Sequence, residues 1–435
     1  MIRSVKLLFL IAAGMLVLPL KAFSETSAKI DNGDTAFVLI STALVMLMTP
    51  GLAMFYGGMV RRKNVLGTYM QSFVAIAVVS IQWICCGYSL SFGPDVHGII
   101  GGLDWIGLKG VGLVPNPDYA ATVPHMAFMV YQMMFAVITP ALISGAIAER
   151  MKFSAFLVFI IVWSTLVYDP VAHWVWGTGG WLKNLGVLDF AGGIVVHVTS
   201  GISALAAALV IGKRRGYLHE AMTPHNLPMT VVGAGLLWFG WFGFNAGSAL
   251  SSGALSVTTF VATHASAVAA TLIWVIIEWL HRGKPTMFGA ATGSIAGLAT
   301  ITPASGYVGP MSALLIGLCA GAVCYISLNL KARLGYDDSL DAFGVHGVGG
   351  ILGTLAAGFL AQKLINPAGA DGLFFGNAGT LGIQALGIAV TVVYSFVVTV
   401  VILKLIEWTI GLRVNAEDEF EGLDLSQHGE SGYTM

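Results

Sequence analysis

Between residues 34 and 411, apolar stretches follow one another with only short polar connections between them. Each is about 20 residues long, enough to cross ~30 Å of hydrocarbon as a helix whose backbone groups are bonded internally. The stretches fall near 34–58, 66–92, 123–148, 154–174, 190–211, 228–249, 258–280, 287–303, 307–330, 343–362 and 382–411, which predicts an all-α membrane protein of about eleven transmembrane helices. Composition agrees, with 56% of the 435 residues hydrophobic and 10% charged, against roughly 25% charged in a soluble domain. A formal net charge of −1 argues against a nucleic-acid partner, because phosphate binding needs a basic surface.

The ends of the chain read differently. Arg3 and Lys6 precede "LLFLIAAGMLVLPL", short for a spanning helix, and "AFS" at 22–24 offers a small-x-small cleavage pattern, so residues 1–24 read as a removed signal peptide. Lys21 fits the alternative of an uncleaved anchor helix. Basic clusters then fall on alternate connections: "RRK" at 61–63, "ERMK" at 149–152, "KRR" at 213–215, "HRGK" at 281–284 and "KAR" at 331–333. By the positive-inside rule these connections lie in the cytoplasm, which puts the mature N-terminus outside and the polar tail inside. The organisation is a leader at 1–24, a transmembrane domain at 25–412 and a cytoplasmic tail at 413–435, placed in a bacterial inner (plasma) membrane.

The eleven stretches divide as five plus five plus one, and the fifth and tenth each carry a histidine among small and β-branched residues, His197 in "GGIVVHV" and His346 in "FGVHGVGG". Five passes per unit is an odd number, so a second copy enters the membrane upside down, an inverted repeat of the kind transporters use. Glycine-rich helices also arise from close packing alone, which 55 glycines invite. If the repeat holds, His197 and His346 meet near the midplane, where one donor and one acceptor per neutral ring let them share a hydrogen. Ionisable groups at that depth are costly to keep and mark function. His264, without a counterpart in the other half, reads as a polar helix-packing contact.

Catalytic zinc takes about three protein ligands, and neither carboxylate nor cysteine stands at a suitable offset from the two histidines. No metal and no cofactor are expected. Cys85, Cys86, Cys319 and Cys324 lie in apolar runs and read as small hydrophobes. No nucleophile constellation accompanies the histidines, so the chain does not read as an enzyme. Trp176, Phe135 and Ser248 could meet at an outer vestibule, where π faces and a hydroxyl suit a small, poorly hydrated cation; interfacial belt residues read the same by position.

Seven ordered motifs carry a resemblance: "PGLAMFYGGMVRRKNVL" at 50–66, "GAIAERMKF" at 145–153, "LDFAGGIVVHVTSGISAL" at 188–205, "PHNLP" at 224–228, "GWFGFNAGSA" at 240–249, "TPASGYVGP" at 302–310 and "DAFGVHGVGGILGT" at 341–354. From Asp34 to the tail, the chain resembles the ammonium transporter family, Amt/MEP/Rh, of bacterial Amt type. The resemblance implies homotrimers with a hydrophobic pore in each subunit, eleven helices and a five-plus-five inverted repeat. It places Trp176, Phe135 and Ser248 on an external ammonium-recruitment site, with Tyr131 and Gln132 beside them, and Phe135 and Phe244 on a stacked pair that blocks the pore below. His197 and His346 fall on the twin pore histidines, and Trp241 on a pore-lining aromatic beyond the second of them. Asp189 falls on an acidic residue supporting recruitment; by position alone it is a helix N-cap.

Two features depart from or interrupt the pattern. Tyr131 stands where phenylalanine is frequent, and Pro140 is expected to kink the third helix. The implied activity is uptake of ammonium, or of methylammonium as analogue, with recruitment and deprotonation, either with net charge transfer or as neutral ammonia. The resemblance also implies docking of a PII-type nitrogen-regulatory protein on the cytoplasmic face. A second reading is an ammonium sensor signalling through that face, although no output domain is read after Arg413.

Overall fold

The computed structural model describes residues 29–433; the signal peptide expected at 1–24 lies outside the described residues. The apolar stretches form α1 (Asn32–Met59), α2 (Arg62–Phe92), α3 (His125–Ile147), α4 (Phe153–Leu185), α5 (Gly193–Ile211), α6 (Leu227–Ala249), α7 (Ala254–Arg282), α8 (Met287–Ile301), α9 (Pro310–Leu334), α10 (Phe343–Leu360) and α11 (Ala378–Thr409). Among the described residues, 10 helices are long and apolar enough to cross a membrane. Of the expected eleven or so, the helix outside that count is α8, which has 15 residues. At 1.5 Å per residue it measures ~22 Å, short of the hydrocarbon core. Its neighbours explain why this suffices: α8 is enclosed by α6, α7, α9 and α10 and is buried almost throughout, so it need not match the bilayer. Pro140 is carried inside α3, which runs uninterrupted from His125 to Ile147.

α5 and α10 open in the same unusual way. Each begins with a π-helical turn containing its histidine, Gly193–Val198 in α5 and Phe343–Gly347 in α10. Each turn is preceded by an aspartate eight residues before the histidine (189 to 197, 338 to 346). The Asp189 carboxylate accepts hydrogen bonds from the amides of Gly192, Gly193, Ile194 and Val195 at 2.5–3.0 Å. Asp338 accepts from Ala342 and Phe343 at 3.1 and 2.8 Å. The four orphan N–H groups of a helix start are expensive in an apolar setting, and the same device at matching points of the two halves fits the five-plus-five repeat.

The two helices touch backbone to backbone. A Cβ built on Gly201 would lie 2.1 Å from the Gly347 nitrogen, and one on Gly350 would lie 2.9 Å from the His197 Cβ. Only glycine permits this approach.

At one end of the bundle, β1 (Asp95–Val96) and β2 (Ile100–Gly101) form a small antiparallel hairpin in the connection from α2 to α3. Its contacts fasten it to α4: His173 Nε2 and Asp95 Oδ1 are 2.9 Å apart, and the Trp174 indole donates to the Ile99 carbonyl at 2.7 Å.

At the other end, the basic connections do more than set topology. The Glu149 carboxylate, with 0% side-chain exposure, pairs with Arg61 at 2.9 Å and Arg214 at 3.2 Å. Arg214 also grips Asp337 twice, at 2.9 and 2.8 Å. Buried Arg150 donates to the carbonyls of Gly212 and Asp337. The tail folds onto this assembly as α12 (Ala416–Glu421) and α13 (Leu423–His428). Glu419 accepts from the Arg215 amide and pairs with Arg413, while Asp424 accepts from the Gly67 amide at 2.9 Å.

Burial pushes the Glu149 carboxyl up, but the Arg214 and Arg61 guanidiniums outweigh it and hold its pKa below the ordinary 4.5. A carboxylate depressed in the folded state stabilises the protein above its unfolded pKa, and that stabilisation is lost as pH falls through the folded value. Glu149→Ala, which leaves Arg61 without its carboxylate and Arg214 with Asp337 alone, is expected to destabilise by about 1–3 kcal/mol, read as a lower unfolding temperature in detergent. Arg61→Ala, at a half-open position, is expected to cost less, and the difference between wild type and Glu149→Ala should shrink on acidification below the carboxylate range. Gly201→Ala is expected to push α5 from α10 and abolish whatever activity needs the two histidines in contact. An unchanged unfolding temperature in that variant would show the crossing to be slack.

Candidate functional site

A single line of contacts joins most of the candidate residues. It starts at the hairpin end with a cavity of about 160 Å³, into which Gln132, Phe135, Trp176 and Ser248 project from α3, α4 and α6. The Trp176 indole donates to the Asp189 carbonyl at 2.9 Å, so the residue that caps α5 with its side chain also holds this ring with its backbone. Phe135 stands edge-on to Trp176, with centroids 5.9 Å apart at 90°. The Ser248 hydroxyl is 2.9 Å from the Phe244 carbonyl and 3.2 Å from the Tyr131 hydroxyl. Gln132 Oε1 is buried without a hydrogen-bond partner.

The floor of the vestibule is the Phe135–Phe244 pair, with centroids 4.3 Å apart and planes inclined at 36°. This is near the contact distance of two rings, so nothing passes without one of them moving. Below it, a cavity of about 10 Å³ is bounded by Phe244, Trp241, His197 and His346, room for about one water.

The two histidines are 2% and 3% exposed. Their Nδ1 atoms are 3.3 Å apart, and their rings are nearly parallel at 19° with centroids 5.2 Å apart. A contact between two ring nitrogens needs a hydrogen on one and a free lone pair on the other, so the pair shares one hydrogen. His197 Nε2 has no partner. Beyond His346, a second cavity of about 10 Å³, reaching Asp341 and Tyr56, continues toward the basic connections. Among the described residues no group of three or more ligating side chains could hold a metal ion.

Three expectations are corrected by the geometry. Tyr131 is fully buried behind Phe135, and its hydroxyl is taken up by the Gly243 and Phe244 carbonyls at 2.9 Å each. It positions Ser248 and the Phe244 segment and does not itself face the mouth. Trp241 does not lie beyond the second histidine: its ring stacks on His197 at 5.6 Å and meets Phe244 at 5.7 Å, held by an indole hydrogen bond of 3.0 Å to Thr302. His264 makes no polar packing contact; it is exposed on α7 and lies against the Trp238 and Phe242 rings.

Asp118, Tyr119 and Lys183 also line the vestibule and escaped the sequence reading. Lys183 did carry a signal, as a lysine beyond the fourth stretch, on the side that the charge rule leaves poor in basic residues.

Residues 36–433 match the model of the Ammonium Transporter Family. The chain is 54% identical over 402 residues to an ammonium transporter of Bacillus subtilis, covering 92% of this chain and 98% of that one. It is 48% identical to ammonium transporter Amt1 of Archaeoglobus fulgidus over 93% of this chain and 100% of that one. Among solved structures it resembles Saccharomyces cerevisiae Mep2, with a TM-score of 0.85 at 35% identity and 89% of each chain covered. It also resembles a protein described as a sensor Amt protein, with a TM-score of 0.84 at 31% identity, covering 91% of this chain and 98% of that one. This multi-pass membrane chain belongs to the ammonium transporter family.

Proposed function

We propose that this chain conducts ammonium, as ammonia with its proton removed on the way, through the line of contacts from the vestibule to the histidine pair. The observation that carries the reading is the buried Nδ1–Nδ1 contact of 3.3 Å between His197 and His346, below a closed phenylalanine pair and beside room for about one water. A cation enters among Trp176, Phe135, Gln132 and Ser248, where π faces and oxygen acceptors replace part of its hydration. It gives up its proton to water in the open vestibule, before the phenylalanines, because a bare charge in so narrow and apolar a passage meets a large desolvation cost. Ammonia then passes along the imidazole edges toward the face that carries the basic connections.

In this reading the hairpin end faces outward and the tail lies in the cytoplasm of a bacterial inner membrane, in a homotrimer with one passage per subunit. The docked acidic tail and the basic connections around it offer a surface for a PII-type regulatory protein. A sensing role is the second reading, favoured by the likeness to the sensor Amt protein. Saturable uptake of labelled methylammonium by cells lacking their own transporter separates the two, since a sensor need not accumulate it.

Trp176→Leu is expected to raise the half-saturation concentration for methylammonium roughly five- to thirtyfold, the equivalent of ~1–2 kcal/mol of cation–π binding, with uptake recovering at high substrate. An unchanged half-saturation would remove Trp176 from recruitment. His197→Ala and His346→Ala are each expected to abolish uptake or let potassium through, with the double substitution no worse than either single one, because the two rings act as one unit. Removing either leaves the other ring's nitrogen without its partner, costing roughly 1–3 kcal/mol. His264→Ala is expected to transport normally. Wild-type selectivity in both pore variants would make the pair structural.

A further inference from the structure

The vestibule already contains an ammonium group. Lys183 lies on the short helix Trp181–Leu185 that closes α4. Its Nζ donates to the Trp176 carbonyl at 2.9 Å and lies 5.7 Å from the centroid of the Tyr119 ring, within the range at which a cation is held by a π face. The Tyr119 ring is fixed for this: its hydroxyl donates to the Phe92 carbonyl at 2.6 Å and accepts from the Thr178 amide at 3.1 Å. Both side chains line the cavity that contains Trp176 and Ser248.

The charge is not cancelled by direct contact. Asp118 lines the same cavity, yet the ion pairs among the described residues do not include Lys183. Lys331 makes the contrast. It stands in the last turn of α9, the fourth helix of the second half, and is paired directly with Asp341.

We propose that Lys183 is a specificity-determining residue of the vestibule, a tethered alkylammonium that competes with the incoming cation and sets the concentration at which the site fills. The inference rests on the recruitment reading of Trp176 and Ser248. Two effects act together. Like charges that line one cavity repel, although solvent at the exposed Lys183 side chain screens part of the repulsion. The π face that Lys183 occupies is also the kind of surface a small ammonium ion seeks. Lys183 thus holds the site at a weaker affinity than its aromatic lining alone would give, and it leaves the passage below untouched.

The test is the half-saturation concentration for methylammonium, measured with the full chain in cells lacking their own transporter. Lys183→Met is expected to lower it roughly three- to tenfold at unchanged maximal rate, with the difference shrinking as ionic strength rises. Lys183→Arg, which keeps both the charge and a donor for the Trp176 carbonyl, is expected to stay near wild type. Structural damage would lower the rate and would not tighten binding, so a gain in affinity separates charge from packing. Lys183→Gln serves as the neutral variant if Lys183→Met does not reach the membrane. An unchanged or raised half-saturation in a neutral variant that reaches the membrane in normal amount overturns the inference. If Trp176→Leu weakens uptake in the same series, the recruitment reading survives that failure. Absence of saturable uptake by the wild-type chain overturns both.

Discussion

The contact between His197 and His346 depends on two helices crossing with no side chain between them. In lipid no hydrophobic force draws helices together, and packing and hydrogen bonding must do it. At the α5–α10 crossing, Gly201 lies against the Gly347 backbone and Gly350 against His197. The two imidazoles reach hydrogen-bonding distance because these positions lack a Cβ. A methyl group at Gly201 would have to displace a neighbouring main chain, which cannot yield as a side-chain tip can. The polar contact between the two helices is thus a consequence of backbone geometry, and the histidines occupy a gap the glycines make.

The same two helices tie the vestibule to the pair. Asp189 satisfies four amides at the start of α5 with its carboxylate and holds the Trp176 indole with its carbonyl. His197 follows eight residues later (189 to 197) within the π turn. The Trp176 ring and the His197 ring therefore both bear on one short stretch of backbone, residues 189–197. Asp338 repeats the arrangement before His346, on the face where the Arg214–Asp337 and Arg61–Glu149 pairs hold the connections together. Each histidine is thus approached from its own end of the bundle by a capped helix start.

Much of this was legible in the sequence because the bilayer imposes a length and a charge rule. The helices and the alternation of basic connections follow from those two constraints, and the equivalence of His197 and His346 follows from counting passes. What was not legible depends on what surrounds a residue. The fragment from Met287 to Ile301 reads as a span by composition, but being enclosed by four helices relieves it of the bilayer's length. The family resemblance sets Tyr131 at the mouth, yet its hydroxyl is taken up by two carbonyls on α6. Trp241 is drawn beside His197 by its hydrogen bond to Thr302, a partner 61 residues away in the chain. Lys183 is a single lysine in "GWLKNLG", and only the fold shows that it shares a cavity with Trp176.

On the proposed reading, these features together would account for discrimination between a cation that can lose its charge and one that cannot. The free space falls from about 160 Å³ in the vestibule to about 10 Å³ beside the histidines, with the Phe135–Phe244 pair closed between. A potassium ion of similar size to ammonium could be held at the aromatic mouth, but it can enter the small cavity only by shedding nearly all its water, and the walls there are hydrocarbon and two neutral rings that offer few acceptors. Nothing in that lining replaces an ion's hydration. Ammonia meets no such cost: it is neutral, about the size of the one water that fits, and can both donate to and accept from an imidazole edge. On the proposed reading, selectivity is therefore decided below the site that binds the cation, by a place too small and too apolar for any guest that keeps its charge.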